Sequence, residues 1–424
     1  MSETVGDDVA QAAPGRPVRH GRQRPQSAGR ELLKFTASAL AVLLIASAAV
    51  GAYAVLDTLN QVKSNAVDIS LPGSTPPPPP PGIGAIEGGF NMLIVGTDND
   101  ANQGDAFGVR DATLNDVNIL LHVSADHQNA VALTLPRDLV IPQPECTNPD
   151  TGETFGESSA EPLNDAYERG GLACIVNTVS SVTGIDIGYA GLVSFNGVIA
   201  LSDAVGGVPV CLAAPLVDPG ANLDLPAGES VISGATALAF LRTRYSIGDR
   251  SDLSRISNQQ SFMASLLRTV RSDSTLNNPA KLYSLARVAA DHMTFSTSLA
   301  EPAAMIALAL SLKDIPLDNV VFVQFPVVDS TDFSGKVQPE QPLADELMAM
   351  IANDQAFSLA PDSVGNGVEL QGGGATPTAE PSAPADPNAT ANPTDPAATA
   401  APVVPGLTGQ TGAQSTCSKA FPGE

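Results

Sequence analysis

The chain has 424 residues and a formal net charge of −24, with 45 acidic side chains against 21 basic ones. That balance excludes a nucleic-acid binder, which needs a basic face to neutralise phosphates. Tryptophan is absent, yet 43% of the residues are hydrophobic, so one large aliphatic core is affordable.

Residues 1–34 form a basic arm carrying Arg16, Arg19, Arg22, Arg24, Arg30 and Lys34. Residues 35–56 then carry no charge. Such a stretch is long enough, as a helix, to cross a hydrocarbon layer of about 30 Å. The positive-inside rule places the arm in the cytoplasm and everything after the span outside the cell. Cleavage near Ala46-Ser47-Ala48 is the alternative, opposed by the unusual length of the basic region before it. Residues 57–87 read as a Pro-rich spacer, with an unbroken proline run at 76–81. The folded domain is expected over residues 88–360. Residues 361–424 read as a disordered tail, because the Ala/Pro/Thr-rich stretch from Gly372 onward cannot bury a core.

Inside the domain, short apolar runs at 91–96, 117–123, 130–135 and 320–325 predict buried strands. The polar stretch 124–129 between the second and third makes them a hairpin candidate. Apolar spacings of three and four predict helices over 164–182, 195–205, 234–241, 252–270, 279–290 and 299–312. The resulting expectation is an α/β fold, with a mixed central β-sheet covered by helices and one N-terminal transmembrane helix. Four cysteines, with no CxxC pair and no nearby His cluster, argue against zinc and for disulfides in an exported chain. The Gly/Pro-rich stretch between Cys146 and Cys174 favours that pairing, which leaves Cys211 with Cys417; free thiols are the alternative.

Four places carry candidate chemistry. Asp98 directly follows the first strand, where α/β folds place ligands. It is suited to Mg²⁺, or to an ordinary turn or cap. Asp116 and Asn118 open the second strand and share a face under strict alternation, so Asp116 and Asp98 could share one divalent cation. Arg137 sits in Leu135-Pro136-Arg137-Asp138, fixed by a strand end and a proline. It is placed to clamp a phosphate, or else to pair with Asp138. The segment from Arg242 to Gln260 packs four arginines into an acidic protein. Guanidinium binds phosphate through two parallel hydrogen bonds. Arg242 and Arg244 precede a Gly/Asp/Ser loop, and Arg255 and Gln259 lie one turn apart on the following helix. An anion site is one reading and a solvated helix face the other. There is no Walker loop, GxSxG, HExxH or Cys/His nucleophile pattern. Phosphoryl chemistry run by electrostatics and a metal is the class left.

Taken in order, NMLIVGTD, NDVNILLHVS, LTLPRD, NDAYERGG, GLVSFNGVIALSDAVGGVPVCL, LDLPAG, ALAFLRTR and DLSRISNQQ resemble the LytR–CpsA–Psr family over most of residues 90–360. The resemblance implies an exported, membrane-anchored phosphotransferase. Such an enzyme moves a glycopolymer from a polyprenyl-pyrophosphate carrier to peptidoglycan, with Mg²⁺ on the pyrophosphate. It assigns Asp98 and Asp116 to the metal and Arg137 and Asp116 to catalysis. Arg242, Arg244, Arg255 and Gln259 fall to the pyrophosphate, and the aliphatic helices to a tunnel for the lipid tail. Two positions depart from the family pattern. Leu114 and Asn258 stand where arginines are common, which lowers local positive charge; Arg110 is a substitute for the first. The Leu-Asn-Asp form resembles actinobacterial members and implies arabinogalactan as the polymer. The alternatives are a polyprenyl-pyrophosphate phosphatase with the same site, and a non-catalytic wall-binding or regulatory protein.

Overall fold

The computed structural model describes residues 53, 56–70, 85–99, 113–149, 151–272, 275, 278–371 and 401–422. Residues 1–56 and 57–424 form separate units, and every element below belongs to the second. The expected transmembrane span, the proline run and Arg110 lie almost wholly outside the described residues. Among the described residues no helix is long and apolar enough to cross a membrane.

A seven-stranded mixed sheet forms the centre. Its spatial order is Met293–Phe295, Tyr189–Val193, Phe90–Thr97, Asn115–Val123, Ala130–Leu135, Val320–Gln324 and Gly409–Thr411. Phe90–Thr97 runs antiparallel to Asn115–Val123, which forms the expected hairpin with Ala130–Leu135. The Tyr189–Val193 and Val320–Gln324 strands join in parallel on either side. A strand buried on both faces shows no polar alternation. Ala130–Leu135 is buried at all six positions, and its alternate residues enter two different cores. Val131, Leu133 and Leu135 meet Ile175 and Val179 of the Ala166–Thr183 helix, with Leu347 and Ile351 of the Gln341–Ala352 helix. Ala130 and Ala132 face the opposite core, which holds Ala264 of the Asp252–Arg271 helix and Leu308 of the Pro302–Lys313 helix.

A smaller four-stranded sheet lies apart, ordered Gly228–Ile232, Val208–Leu212, Thr416–Ser418 and Val368–Leu370. Its residues Val208, Val210 and Leu212 share a third core with Phe240 of the Gly234–Arg242 helix and Phe262. The Phe195–Ala204 and Pro279–His292 helices complete the set expected from the sequence.

Two domain boundaries need correction. Residues 57–70, expected in the spacer, join the fold: residues 57–64 are helical, Val62 is buried, and Val67 bridges Ser296. Residues 361–371 and 401–422, expected in the disordered tail, supply strands to both sheets. Their bonds are to chain far away in sequence, which composition cannot reveal. Residues 372–400 lie outside the described residues. Both favoured disulfides are present, Cys146–Cys174 and Cys211–Cys417, and no cysteine is left over among the described residues.

The pairing of Phe90–Thr97 with Asn115–Val123 carries one irregularity that matters below. Gly96 pairs with Val117 and Thr97 with Asn115, so Asp116 is the extra residue of a bulge. A bulge resets the alternation of faces. Asn118 therefore turns away from Asp116, and its Oδ1 accepts from Asn115 Nδ2 at 2.8 Å. The expectation that Asp116 and Asn118 share a face is corrected. Asn115 is fully buried; it donates to the Leu163 carbonyl at 3.1 Å and accepts from the Tyr167 N–H at 3.2 Å. Asn115→Ala should lower unfolding free energy by about 1–3 kcal/mol, because buried partners lose their bonds. Chemical denaturation of the two proteins, monitored by circular dichroism, checks this.

Candidate functional site

Between the central sheet and the Phe195–Ala204, Gly234–Arg242 and Asp252–Arg271 helices lies a cavity of about 300 Å³ with one charged end. Asp116, Arg242, Arg255 and Gln259 line that end, and Gly96 and Thr97 lie beside them. The remaining walls are aliphatic or aromatic apart from Ser202; Val198, Leu201, Leu238, Met263, Leu266 and Leu285 are among them.

The Asp252–Arg271 helix shows how the sequence builds this. Arg255, Gln259, Phe262, Leu266 and Val270 all line the cavity, and their spacings of four, three, four and four trace one helical stripe. The stripe begins cationic at Arg255, is polar at Gln259 and turns apolar from Phe262. Read alone, its apolar half is indistinguishable from a core face. The neighbouring stripe runs through Leu253, Ile256 and Gln260, and its Ile256 and Gln260 are buried. The helix starts cleanly because the Ser251 hydroxyl accepts from the Ser254 N–H.

The charged groups form a chain of alternating sign. Arg137 Nη1 donates to Asp116 Oδ1 at 2.7 Å, and Arg137 Nε lies 3.4 Å from Asp252 Oδ1. Asp252 Oδ1 is 2.7 Å from Arg255 Nη2. Side-chain exposure is 20% for Arg137, 10% for Asp252 and 8% for Arg255, so these charges interact in a medium far less screening than water. Burial opposes the charge on Arg137, but Asp116, Asp252 and Asp138 outweigh it and raise the guanidinium pKa. Burial also lowers the Arg255 pKa; Asp252 opposes that shift, while the positive charges of Arg137 and Arg244 add to it. The cations therefore repel one another across this space. The Nε atoms of Arg137, Arg244 and Arg255 are buried without a hydrogen-bond acceptor, although Arg137 and Arg255 keep their ion pairs. A polyanion would relieve both conditions.

The other predicted residues fall around this centre. Arg242 stacks over the Phe195 ring at 4.6 Å, and Gln259 donates to the Leu241 carbonyl at 3.0 Å. Arg244 stacks over Tyr245 at 5.6 Å and is not in the cavity wall. Asp98 is 1% exposed, and its Oδ1 accepts from the Leu114 N–H at 2.9 Å. So the structure brings Asp116, Arg137, Arg242, Arg255 and Gln259 together, sets Asp98 beneath the neighbouring strand end, and leaves Arg110 undescribed. Asn258 points away from the cavity. It is fully buried, donates to the Phe240 carbonyl at 3.0 Å and accepts from the Ser418 hydroxyl at 2.5 Å. Asn258, which stands where arginine is common, is therefore not part of the cavity wall. Three contributors were missed: Asp252 as the bridge between two arginines, Phe195 as a platform, and Thr97, whose buried hydroxyl has no hydrogen-bond partner. For Asp252 the i,i+3 spacing to Arg255 was the available signal.

Comparison with known proteins agrees with the sequence motifs. The LytR_cpsA_psr family model matches residues 43–352. The chain belongs to the LytR–CpsA–Psr family. It is 30% identical over 279 residues to the cell wall biosynthesis protein LcpA of Corynebacterium glutamicum, covering 59% of this chain and 53% of that protein. Its likeness to TagT of Bacillus subtilis, a polyisoprenyl-teichoic acid–peptidoglycan teichoic acid transferase, is 24% over 264 residues, or 61% of this chain and 76% of the other. The chain spans about half the length of the LcpA protein it matches. A crystal structure of protein gbs0355 from Streptococcus agalactiae shares the fold at a TM-score of 0.50 and 20% identity, covering 63% of this chain and 88% of that one.

The cavity of this LytR–CpsA–Psr protein makes a prediction of its own. Val198→Trp should fill the apolar part and weaken binding of an anionic probe with an apolar tail by about 1–3 kcal/mol through overpacking. Inorganic pyrophosphate should bind as before, because the arginines are untouched. Isothermal titration with both ligands separates the two ends of the site.

Proposed function

We propose that the chain is a cell-wall glycopolymer–peptidoglycan ligase, a phosphotransferase that takes its glycan from a polyprenyl-pyrophosphate carrier. The observation that carries this reading is one cavity with clustered arginines at one end and an apolar bore at the other. A polyprenyl pyrophosphate has the same division between an anionic head and an apolar tail. The transferase name of TagT and the cell-wall name of LcpA support the reaction class.

In this reading the acceptor is a peptidoglycan sugar hydroxyl. Its oxygen forms a bond to the glycan-bearing phosphorus and gives its proton to Asp116 or Asp138, while the bridging P–O bond breaks with its electron pair on the departing polyprenyl phosphate. Arg255, Arg242, Arg244 and Gln259 hold the pyrophosphate. Arg137 leaves its partner Asp116 for the transferred phosphoryl group and stabilises the charge developing there.

Mg²⁺ is part of the proposal. Asp116 at the cavity and Asp98 on the adjoining strand end are hard oxygen donors, the chemistry this ion takes. Among the described residues no group of three acidic, His or Cys side chains could hold a metal by itself. On this proposal one or two carboxylates would hold the ion, with phosphate oxygens and water in its other positions. Once bound, the ion would neutralise pyrophosphate charge. We further propose that residues 35–56 anchor the chain, with the N-terminus in the cytoplasm and the catalytic domain outside, and that arabinogalactan is the polymer.

The test uses a short polyprenyl pyrophosphate with water as a stand-in acceptor. The wild type should release phosphate when Mg²⁺ is supplied. Arg137→Ala and Asp116→Ala should each lose about a hundredfold or more. Tight lipid binding by the wild type without any release, alone or with peptidoglycan added, would overturn the proposal in favour of a non-catalytic wall protein.

A further inference from the structure

The loop over residues 245–250 joins Arg244 to the helix that carries Arg255. Its shape is unusual. Gly248 has φ +51°, and a Cβ there would collide with the Ser254 hydroxyl. Arg250 has φ +67°, in the left-handed region that side chains disfavour. Such backbone persists only when surrounding structure over-determines it.

The surrounding structure is supplied from the far end of the chain. The Ser246 carbonyl accepts from the Phe421 N–H at 2.8 Å, and the Gly248 N–H donates to the Lys419 carbonyl at 3.0 Å. The Phe421 ring lies 3.6 Å from the Arg250 guanidinium. Two residues before Lys419, Cys417 is bonded to Cys211 in the small sheet. Ser418 bonds to Asn258, one turn along the helix from Arg255. Asp249, inside the loop, accepts from Ser251, Ser254 and Asn366. Burial opposes its charge, yet these bonds hold its carboxyl well below the usual carboxylate range.

We propose that residues 416–421 are a clasp, anchored by the Cys211–Cys417 disulfide, that fixes the 245–250 loop and thereby sets the spacing of Arg242 and Arg244 against Arg255 for a pyrophosphate. Ser418 and Phe421 are its positioning residues. The inference rests on the pyrophosphate reading of the arginine cluster. It assigns a role in ligand geometry to a segment outside the 43–352 match to the family. It also explains why Asn258 suits this chain: an arginine there would meet Ser418 instead of a phosphate.

The experiment uses the full chain and measures inorganic pyrophosphate affinity by calorimetry, KM and kcat for phosphate release from farnesyl pyrophosphate, and Tm. Phe421→Ala should weaken pyrophosphate affinity and raise KM about two- to fivefold, the loss of one cation–π contact. Phe421→Tyr should restore both. Ser418→Ala should weaken affinity about tenfold by leaving Asn258 Oδ1 without a donor. Farnesol binding, which uses only the apolar bore, should be unchanged in all variants. A lower Tm in Phe421→Ala and Ser418→Ala with unchanged pyrophosphate affinity would reduce the clasp to a structural strut and overturn the proposal. Absence of turnover in the wild type would count against the ligase reading alone, because pyrophosphate affinity still reads the clasp.

Discussion

Buried guanidinium groups must be neutralised, and this one requirement organises the centre of the molecule. Desolvated cations crowded together repel strongly where water cannot screen them. Here Asp252 bridges Arg137 and Arg255, while Asp116 takes a second nitrogen of Arg137. The alternation of sign lets the cations sit together in the absence of any ligand. It also leaves them incompletely satisfied, since three Nε atoms have no acceptor. A site in this condition is preorganised for an anion, with little reorganisation required when one arrives.

The network depends on where the backbone puts Asp116. Without the bulge opposite Gly96 and Thr97, alternation would turn Asp116 to the face that Asn118 occupies, against Leu163 rather than the cavity. Gly96 permits the close approach, because a Cβ there would come to 3.0 Å from the Val117 Cβ. Asn115 then ties the irregular strand to the segment that leads into the Ala166–Thr183 helix. The Leu114-Asn115-Asp116 sequence thus reads as scaffold, scaffold and site.

Much of this was legible in the sequence, and the limits have physical causes. Strands such as Ala130–Leu135 appeared at their observed boundaries because an unbroken apolar run has few other uses. The helix across residues 252–270 appeared because charge and apolarity repeat along it. The bulge did not appear, since a single extra residue changes no composition. The strands at Gly409–Thr411 and Thr416–Ser418 did not appear either, because their small polar residues match loop composition and their partners are distant. Cys417 was the clue: a cysteine bonded to Cys211 cannot belong to a free tail. The clustering of Arg137 with the residues from 242 to 259 rested on motif order, because spacing alone cannot join segments about a hundred residues apart.

On the ligase reading, the two ends of the cavity do different kinds of work. Each buried methylene of a lipid tail contributes about 0.8 kcal/mol whatever the head group carries. Taken alone that energy is the same before and during reaction, so it accelerates transfer only where it positions the head group. The charge distribution on the phosphoryl group does change as the bridging bond breaks. The arginines respond to that change, as would a bound Mg²⁺, and Arg137 is held by Asp116 and Asp252 outside the cavity wall. It can therefore exchange a carboxylate for a phosphoryl oxygen while the tail stays fixed. Placing Arg255 and the apolar residues on one rigid helix makes the tail's position set the head's, so lipid binding energy becomes alignment of the reacting phosphorus.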